Sequence, residues 1–121
     1  MGKSSDLKGF YKLSPKERLK IVKEFADLTD EEVKLLQSPS SLDLDLANRM
    51  IENVVGVFPI PLGIGVNFLI NSKDYLIPMA IEEPSVVAAA SYAAKMARAK
   101  GGFHTSSTEQ IMIGQIQAVG I

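Results

Sequence analysis

The sequence has no cysteine and no tryptophan, and its only histidine is His104. Without cysteine, disulfide cross-links and thiolate metal sites are excluded. A lone histidine leaves no His/Cys cluster to hold a metal, so none is expected. A dominant charge sign is also missing. Thirteen Lys and Arg face fourteen Asp and Glu, interleaved along the chain, for a net charge of −1. Such a balance gives no steering toward nucleic acid or an anionic membrane surface. Met1–Lys12 is polar and mixed in charge, and it lacks the apolar stretch of a signal peptide. Val54–Ile70 is almost continuously apolar, but it is shorter than the roughly 20 residues a bilayer helix requires. Gly56, Pro59, Pro61, Gly63, Gly65 and Asn67 also interrupt it. It reads as buried β-structure, and a soluble, cytoplasmic protein with no membrane or nucleic-acid partner is expected.

What is present is apolar side chain: 46% of 121 residues, enough for one modest domain with a packed core. Leu13-Ser14-Pro15-Lys16-Glu17 opens a helix, with Ser14 as N-cap, Pro15 at the first position and Glu17 completing a capping box. Leu19, Val22 and Phe25 follow at helical spacing. Thr29-Asp30-Glu31-Glu32 repeats the capping signature, and Ser38-Pro39-Ser40-Ser41 breaks the second helix. A third helix runs from Asp43 to about Ile51. Val66–Ile70 and Tyr75–Ala80 then read as strands joined by a turn at Asn71–Asp74. Glu82-Glu83-Pro84-Ser85 opens a long helix with acids at its start, and Lys95, Arg98 and Lys100 stand at its end. Both ends suit the helix dipole, and Gly101-Gly102 is the stop. Its alanines, Ala88–Ala90, Ala93, Ala94, Ala97 and Ala99, predict a central, buried helix over at least its first turns. Ile111–Ile121 alternates loosely and reads as a strand; it stops on apolar residues like an element cut short. The fold class is α+β, with N-terminal helices, a kinked β-segment and hairpin, an alanine-rich helix and a terminal strand.

Four spots carry candidate chemistry. Gly63-Ile64-Gly65 lacks the third glycine and the following helix of a dinucleotide loop, so it reads as a close backbone approach inside a sheet. His104, beside Thr105-Ser106-Ser107, has no nucleophile elbow and no orienting acid, so it reads as a loop residue. Glu52-Asn53 sits at a helix end, where Asn53 suits a left-handed cap. Glu82-Glu83 is the most unusual. It is either ordinary first-turn decoration or a carboxylate at a buried strand-to-helix junction, where desolvation raises its pKa toward that of a general acid.

Taken together, Glu52-Asn53-Val54-Val55-Gly56, Pro59-Ile60-Pro61-Leu62-Gly63 and the run Pro78-Met79-Ala80-Ile81-Glu82-Glu83-Pro84-Ser85-Val86-Val87-Ala88-Ala89-Ala90-Ser91 resemble the 3-hydroxy-3-methylglutaryl-coenzyme A (HMG-CoA) reductase family. The form of the last run and the Gly101-Gly102-Phe103 continuation resemble its class II branch. The resemblance covers essentially the whole chain.

The resemblance implies an oxidoreductase that converts HMG-CoA to mevalonate and CoA with two NADPH or NADH, or runs the reverse. It implies that Glu83 is the catalytic glutamate, that Ser85 is a substrate-binding residue near the HMG group, and that Glu52 and Asn53 lie at the interface of a homodimer or higher oligomer. Residues 1–108 would belong to the substrate-binding large domain and 109–121 would begin the cofactor-binding small domain. The family's catalytic lysine, aspartate and late histidine have no counterpart in this chain, and His104 is not that histidine. The nicotinamide-binding residues likewise fall outside it. Tyr11 and Lys12 stand where a basic CoA contact is expected, so no CoA ligand is assigned. The expectation is an N-terminal segment, inactive alone and partnered by the remainder of the reductase or a second chain. The alternative is a non-catalytic dimerising or CoA-thioester-binding module.

Overall fold

The computed structural model describes residues 3–38 and 42–120. Pro39–Ser41, most of the expected helix break, lie outside the described residues. Capping chemistry sets the helix starts. In α1 (Pro15–Ala26) the Ser14 hydroxyl accepts from the Glu17 N–H, and Glu17 accepts from the Ser14 N–H. Hydrogen bonds from the Ser14 hydroxyl and backbone hold the Glu17 carboxyl below its ordinary pKa. In α2 (Asp30–Gln37), Thr29 and Glu32 repeat the reciprocal pair. α3 (Leu44–Met50) starts at Asp43, whose carboxylate accepts from the Leu46 N–H.

β1 (Leu62–Ile70) and β2 (Lys73–Ala80) form an antiparallel hairpin with Leu62 opposite Ala80 and Ile70 opposite Lys73. Its turn is tighter than the expected four residues. Asn71 and Ser72 both take positive φ, 48° and 65°, the conformation a two-residue turn needs to match strand twist. α4 (Val86–Arg98) packs along β1. Gly63 is the contact point: a Cβ there would lie 3.0 Å from Val87 Cγ2. The close backbone approach read from Gly63-Ile64-Gly65 is thus present. On the α1 side, Phe10, Val22 and Val66 form the core, with Leu7, Ile21, Ile64 and Leu76 packed around them. Each such large side chain stabilises the fold by about 1.5–3 kcal/mol when fully buried.

β1 carries a bulge. Pairing with β2 lapses between Gly65 and Phe68, and Asn67 turns left-handed at φ 71°. The freed backbone groups find partners elsewhere, as buried polar groups must. The Val66 N–H donates to Ser91 Oγ at 3.1 Å, and the Asn67 N–H donates to the Ser5 carbonyl at 2.9 Å. The Asn67 side chain donates to the Ser91 carbonyl at 3.0 Å, and Ser91 Oγ donates to the Val87 carbonyl at 2.8 Å. One irregularity in a strand therefore joins the helix, the sheet and the N-terminal segment.

Beyond α4, Gly102 reverses the chain at φ 84°, and a Cβ there would lie 2.3 Å from the Leu69 carbonyl oxygen. Only glycine fits that approach. Phe103 then pairs with the free edge of β1. Its N–H donates to Leu69 at 2.8 Å, its carbonyl accepts from Asn71 at 2.9 Å, and its ring stacks on Phe68.

Four expectations are corrected. The long helix starts at Val86, not Pro84, because Ser85 is left-handed at φ 72° and so cannot continue a right-handed helix; no acid occupies its first turn. Burial of that helix is one-sided. Ala94 is 0% exposed, whereas Ala88, Ala89, Tyr92 and Met96 face outward, because α4 has β1 on one side only. Residues 54–61 are not buried β-structure: Val55 is 99% exposed and pairing begins at Leu62. Residues 111–120 form no strand, and Ile116 is 100% exposed. A strand exists only when a neighbour takes up its backbone groups, and no described segment lies beside this one.

Candidate functional site: a groove between the N-terminal segment and α4

The connection from β2 to α4 carries Glu83 and Ser85 to the rim of a groove of about 1270 Å³. The lining runs from Leu7 and Tyr11 through Leu19 and Val22 of α1, past β1, to Val87 and Ser91 of α4. The groove exceeds the roughly 300–1,000 Å³ of an ordinary small-ligand pocket, so it suits an extended ligand. Most of its wall is aliphatic. Four cationic side chains, Lys8, Lys16, Arg18 and Lys95, line it against two carboxylates, Asp6 and Glu83.

The local backbone explains how Ser85 is presented. Its carbonyl accepts the first bond of α4, from the Ala89 N–H at 2.8 Å. Its side chain makes no capping bond, because the left-handed backbone aims it away from the helix N–H groups. A non-glycine residue at positive φ is uncommon, and such strain gathers at sites of function. The hydroxyl is left available to a ligand. Glu83 is exposed and, among the described residues, has no hydrogen-bond or ion-pair partner. The buried junction expected around it is not supplied by the described residues.

Glu52 and Asn53 follow α3, both exposed and outside the groove lining. Asn53 is left-handed at φ 57° but is not the helix cap: α3 ends at Met50, and its C-cap Ile51 is extended. His104 is an exposed loop residue. Among the described residues, no three His, Cys, Asp or Glu side chains gather to hold a metal, and no helix is long and apolar enough to cross a membrane.

Sequence reasoning overlooked a polar node behind the groove. Asp74 Oδ1 accepts from Arg98 Nη1 at 2.6 Å and from the Ser5 N–H at 2.8 Å, and the Ser5 hydroxyl lies 2.6 Å away. The guanidinium bond, with help from Ser5, holds the Asp74 carboxyl down to about 2, against a burial penalty that works the other way. The same carboxylate raises the pKa of Arg98. From sequence alone, Asp74 reads as turn chemistry and Arg98 as a dipole complement. The one sequence signal that leads to it is Asn67, a polar residue set in an apolar run, whose N–H meets the Ser5 carbonyl.

The proteins to which this chain is similar carry the names of reductases. A 3-hydroxy-3-methylglutaryl-coenzyme A reductase from Archaeoglobus fulgidus is 68% identical over 114 residues, 94% of this chain and 26% of the relative. One from Schizosaccharomyces pombe is 38% identical over 65 residues, covering 54% of this chain and 6% of the relative. The solved structure of the class II reductase from Streptococcus pneumoniae, bound to NADPH, superposes with a TM-score of 0.72 at 41% identity, over 80% of this chain and 26% of that one. Residues 14–121 match the family model for hydroxymethylglutaryl-coenzyme A reductase, and the chain belongs to that family. It spans about a quarter of the length of the Archaeoglobus and Streptococcus proteins.

Proposed function

We propose that this chain is the N-terminal part of the substrate-binding domain of an HMG-CoA reductase, which reduces HMG-CoA to mevalonate and CoA with NADPH or NADH, or runs the reverse. The observation that carries the reading is the groove rim, where Glu83 and Ser85 come together beside a cationic, aliphatic cleft in a chain of this family.

When a thioester carbonyl is reduced, its oxygen gains negative charge and must take up a proton. Glu83 is the group assigned to that proton traffic, at the thioester and again at the aldehyde. A carboxylic acid does this near neutral pH only when desolvated. Here Glu83 is exposed, so the rest of the reductase must close over it. Ser85 holds the HMG moiety through its unused hydroxyl. Lys8, Lys16, Arg18 and Lys95 supply charge complementary to the CoA phosphates. Glu52 and Asn53 take part in the subunit interface of a homodimer. Residues 109–121 lead into the cofactor-binding domain. The residues of this chain do not fit a nicotinamide cofactor: Gly63 and Gly65 lie within β1, and the chain continues into β2 instead of a helix. The cofactor site belongs to the remainder of the protein.

The test is Glu83→Gln in the intact reductase, assayed by HMG-CoA-dependent oxidation of NADPH or NADH. Loss of a general acid lowers turnover by about a hundredfold or more, with HMG-CoA binding near normal. Retained turnover removes Glu83 from the role.

A further inference from the structure

We infer that the node of Ser5, Asp74 and Arg98 is a positioning element for the groove, holding its N-terminal wall in the spacing that binds the thioester. This rests on the reductase reading above.

Three ion pairs join described residues. In two of them, Lys3–Asp27 and Lys23–Asp30, the acid is largely exposed; only in Arg98–Asp74 are both side chains mostly shielded, at 22% and 19% exposure. Ser5 beside it is 0% exposed although it is a small polar residue near the start of the chain. All its polar groups are engaged. The N–H and hydroxyl face Asp74, the hydroxyl shares its single proton with the Phe68 carbonyl at 3.0 Å, and its own carbonyl accepts from Asn67. Arg98 Nη1 reaches the same hydroxyl at 3.3 Å, and Nη2 reaches Ser4 Oγ at 3.4 Å.

The six residues that follow, Asp6 to Tyr11, all line the groove. That wall is pinned at its far end by Phe10 in the core and at its near end by the node. Between the two pins, Gly9 is left-handed at φ 75° and Lys8 faces the cleft. The opposite wall is α4, which carries Arg98 in its last turn and Ser91 and Lys95 on its groove side. One carboxylate therefore ties the two walls together from behind. Asp74 and Arg98 are absent from the lining, so they act through the wall. Release of the near pin leaves Lys8 and its neighbours to be ordered when ligand arrives, and that ordering weakens binding without touching the reacting carbonyl.

The experiment measures kcat and KM for HMG-CoA in the intact reductase carrying Asp74→Ala, Asp74→Asn or Ser5→Ala. The expected result for Asp74→Ala is a KM about tenfold higher, as for a binding wall that must be re-ordered, with kcat within about twofold. Asp74→Asn retains an acceptor oxygen and falls between. A purely structural role predicts the opposite split, a lower kcat from fewer folded molecules with KM unchanged, and that result overturns the inference. Where Asp74→Ala does not fold, Ser5→Ala carries the test. It keeps the backbone bonds and loses only the hydroxyl, and a KM that does not rise overturns the proposal. An intact wild-type protein with no HMG-CoA-dependent oxidation overturns the reductase reading and this inference with it. An active wild type with unchanged KM in the variants overturns this inference alone.

Discussion

Protonating Asp74 is expected to remove about 2 kcal/mol of stability. The carboxyl moves from an ordinary 3.8 to about 2 on folding, and each unit of pKa is worth about 1.4 kcal/mol. The side chain is only 19% exposed, so solvent screening leaves most of that in place. The folded pKa lies below the unfolded one. The contribution is therefore fully present above about pH 4 to 5, where both states are ionised, and it is lost as the pH falls toward 2. The assay is urea unfolding of wild type and Asp74→Asn at pH 7, 4 and 2.5. Other carboxylates titrate alike in both proteins and cancel in the difference. That difference starts near 2 kcal/mol at pH 7, holds to about pH 4 and shrinks markedly by pH 2.5. A gap that stays constant down to pH 2.5 refutes the reasoning, because it traces the loss to shape and not to the ionised carboxylate.

Four further substitutions probe the site and the packing. Ser85→Ala in the intact reductase raises KM for HMG-CoA more than it lowers kcat; an unchanged KM counts against a substrate contact in steady-state assays. Ala94→Leu forces extra volume under α4 and destabilises by about 1–3 kcal/mol, whereas Ala89→Leu on the outward face of this chain is near neutral, both read from chemical denaturation. Gly102→Ala places a methyl 2.3 Å from the Leu69 carbonyl at φ 84°. It costs more than the roughly 1–3 kcal/mol of left-handed strain alone, and calorimetry shows it as a lowered Tm.

Much of this architecture was legible because it is local. Ser14 with Glu17 and Thr29 with Glu32 announce their helices within four residues, and both capping boxes form. The hairpin and the glycine stop after α4 follow from equally short patterns. Errors arose where a segment's state depends on a distant neighbour. Ile111–Val119 has the residues of a strand but no adjacent strand in the described chain. Ala89 has the small side chain of a buried helix but only open surface before it. Ser85 reads from sequence as part of the helix, yet its positive φ puts it at the boundary. The site was legible only as a motif. Glu83 and Ser85 do share a groove rim, but the Ser5–Asp74–Arg98 node joins residues 69 and 24 positions apart, and no periodicity reports such a meeting.

That same separation has a consequence for the order in which the molecule assembles. The β-hairpin closes across a two-residue turn and needs nothing else to begin. Ser5, in contrast, waits for partners 62 to 93 positions downstream, from Asn67 to Arg98, and contacts of such span carry the largest loop-closure cost. During synthesis the residues around Ser5 emerge well before their partners, and the node closes only once Arg98 has emerged. Until then the β1 bulge is unsatisfied on one side, and the groove has only one wall.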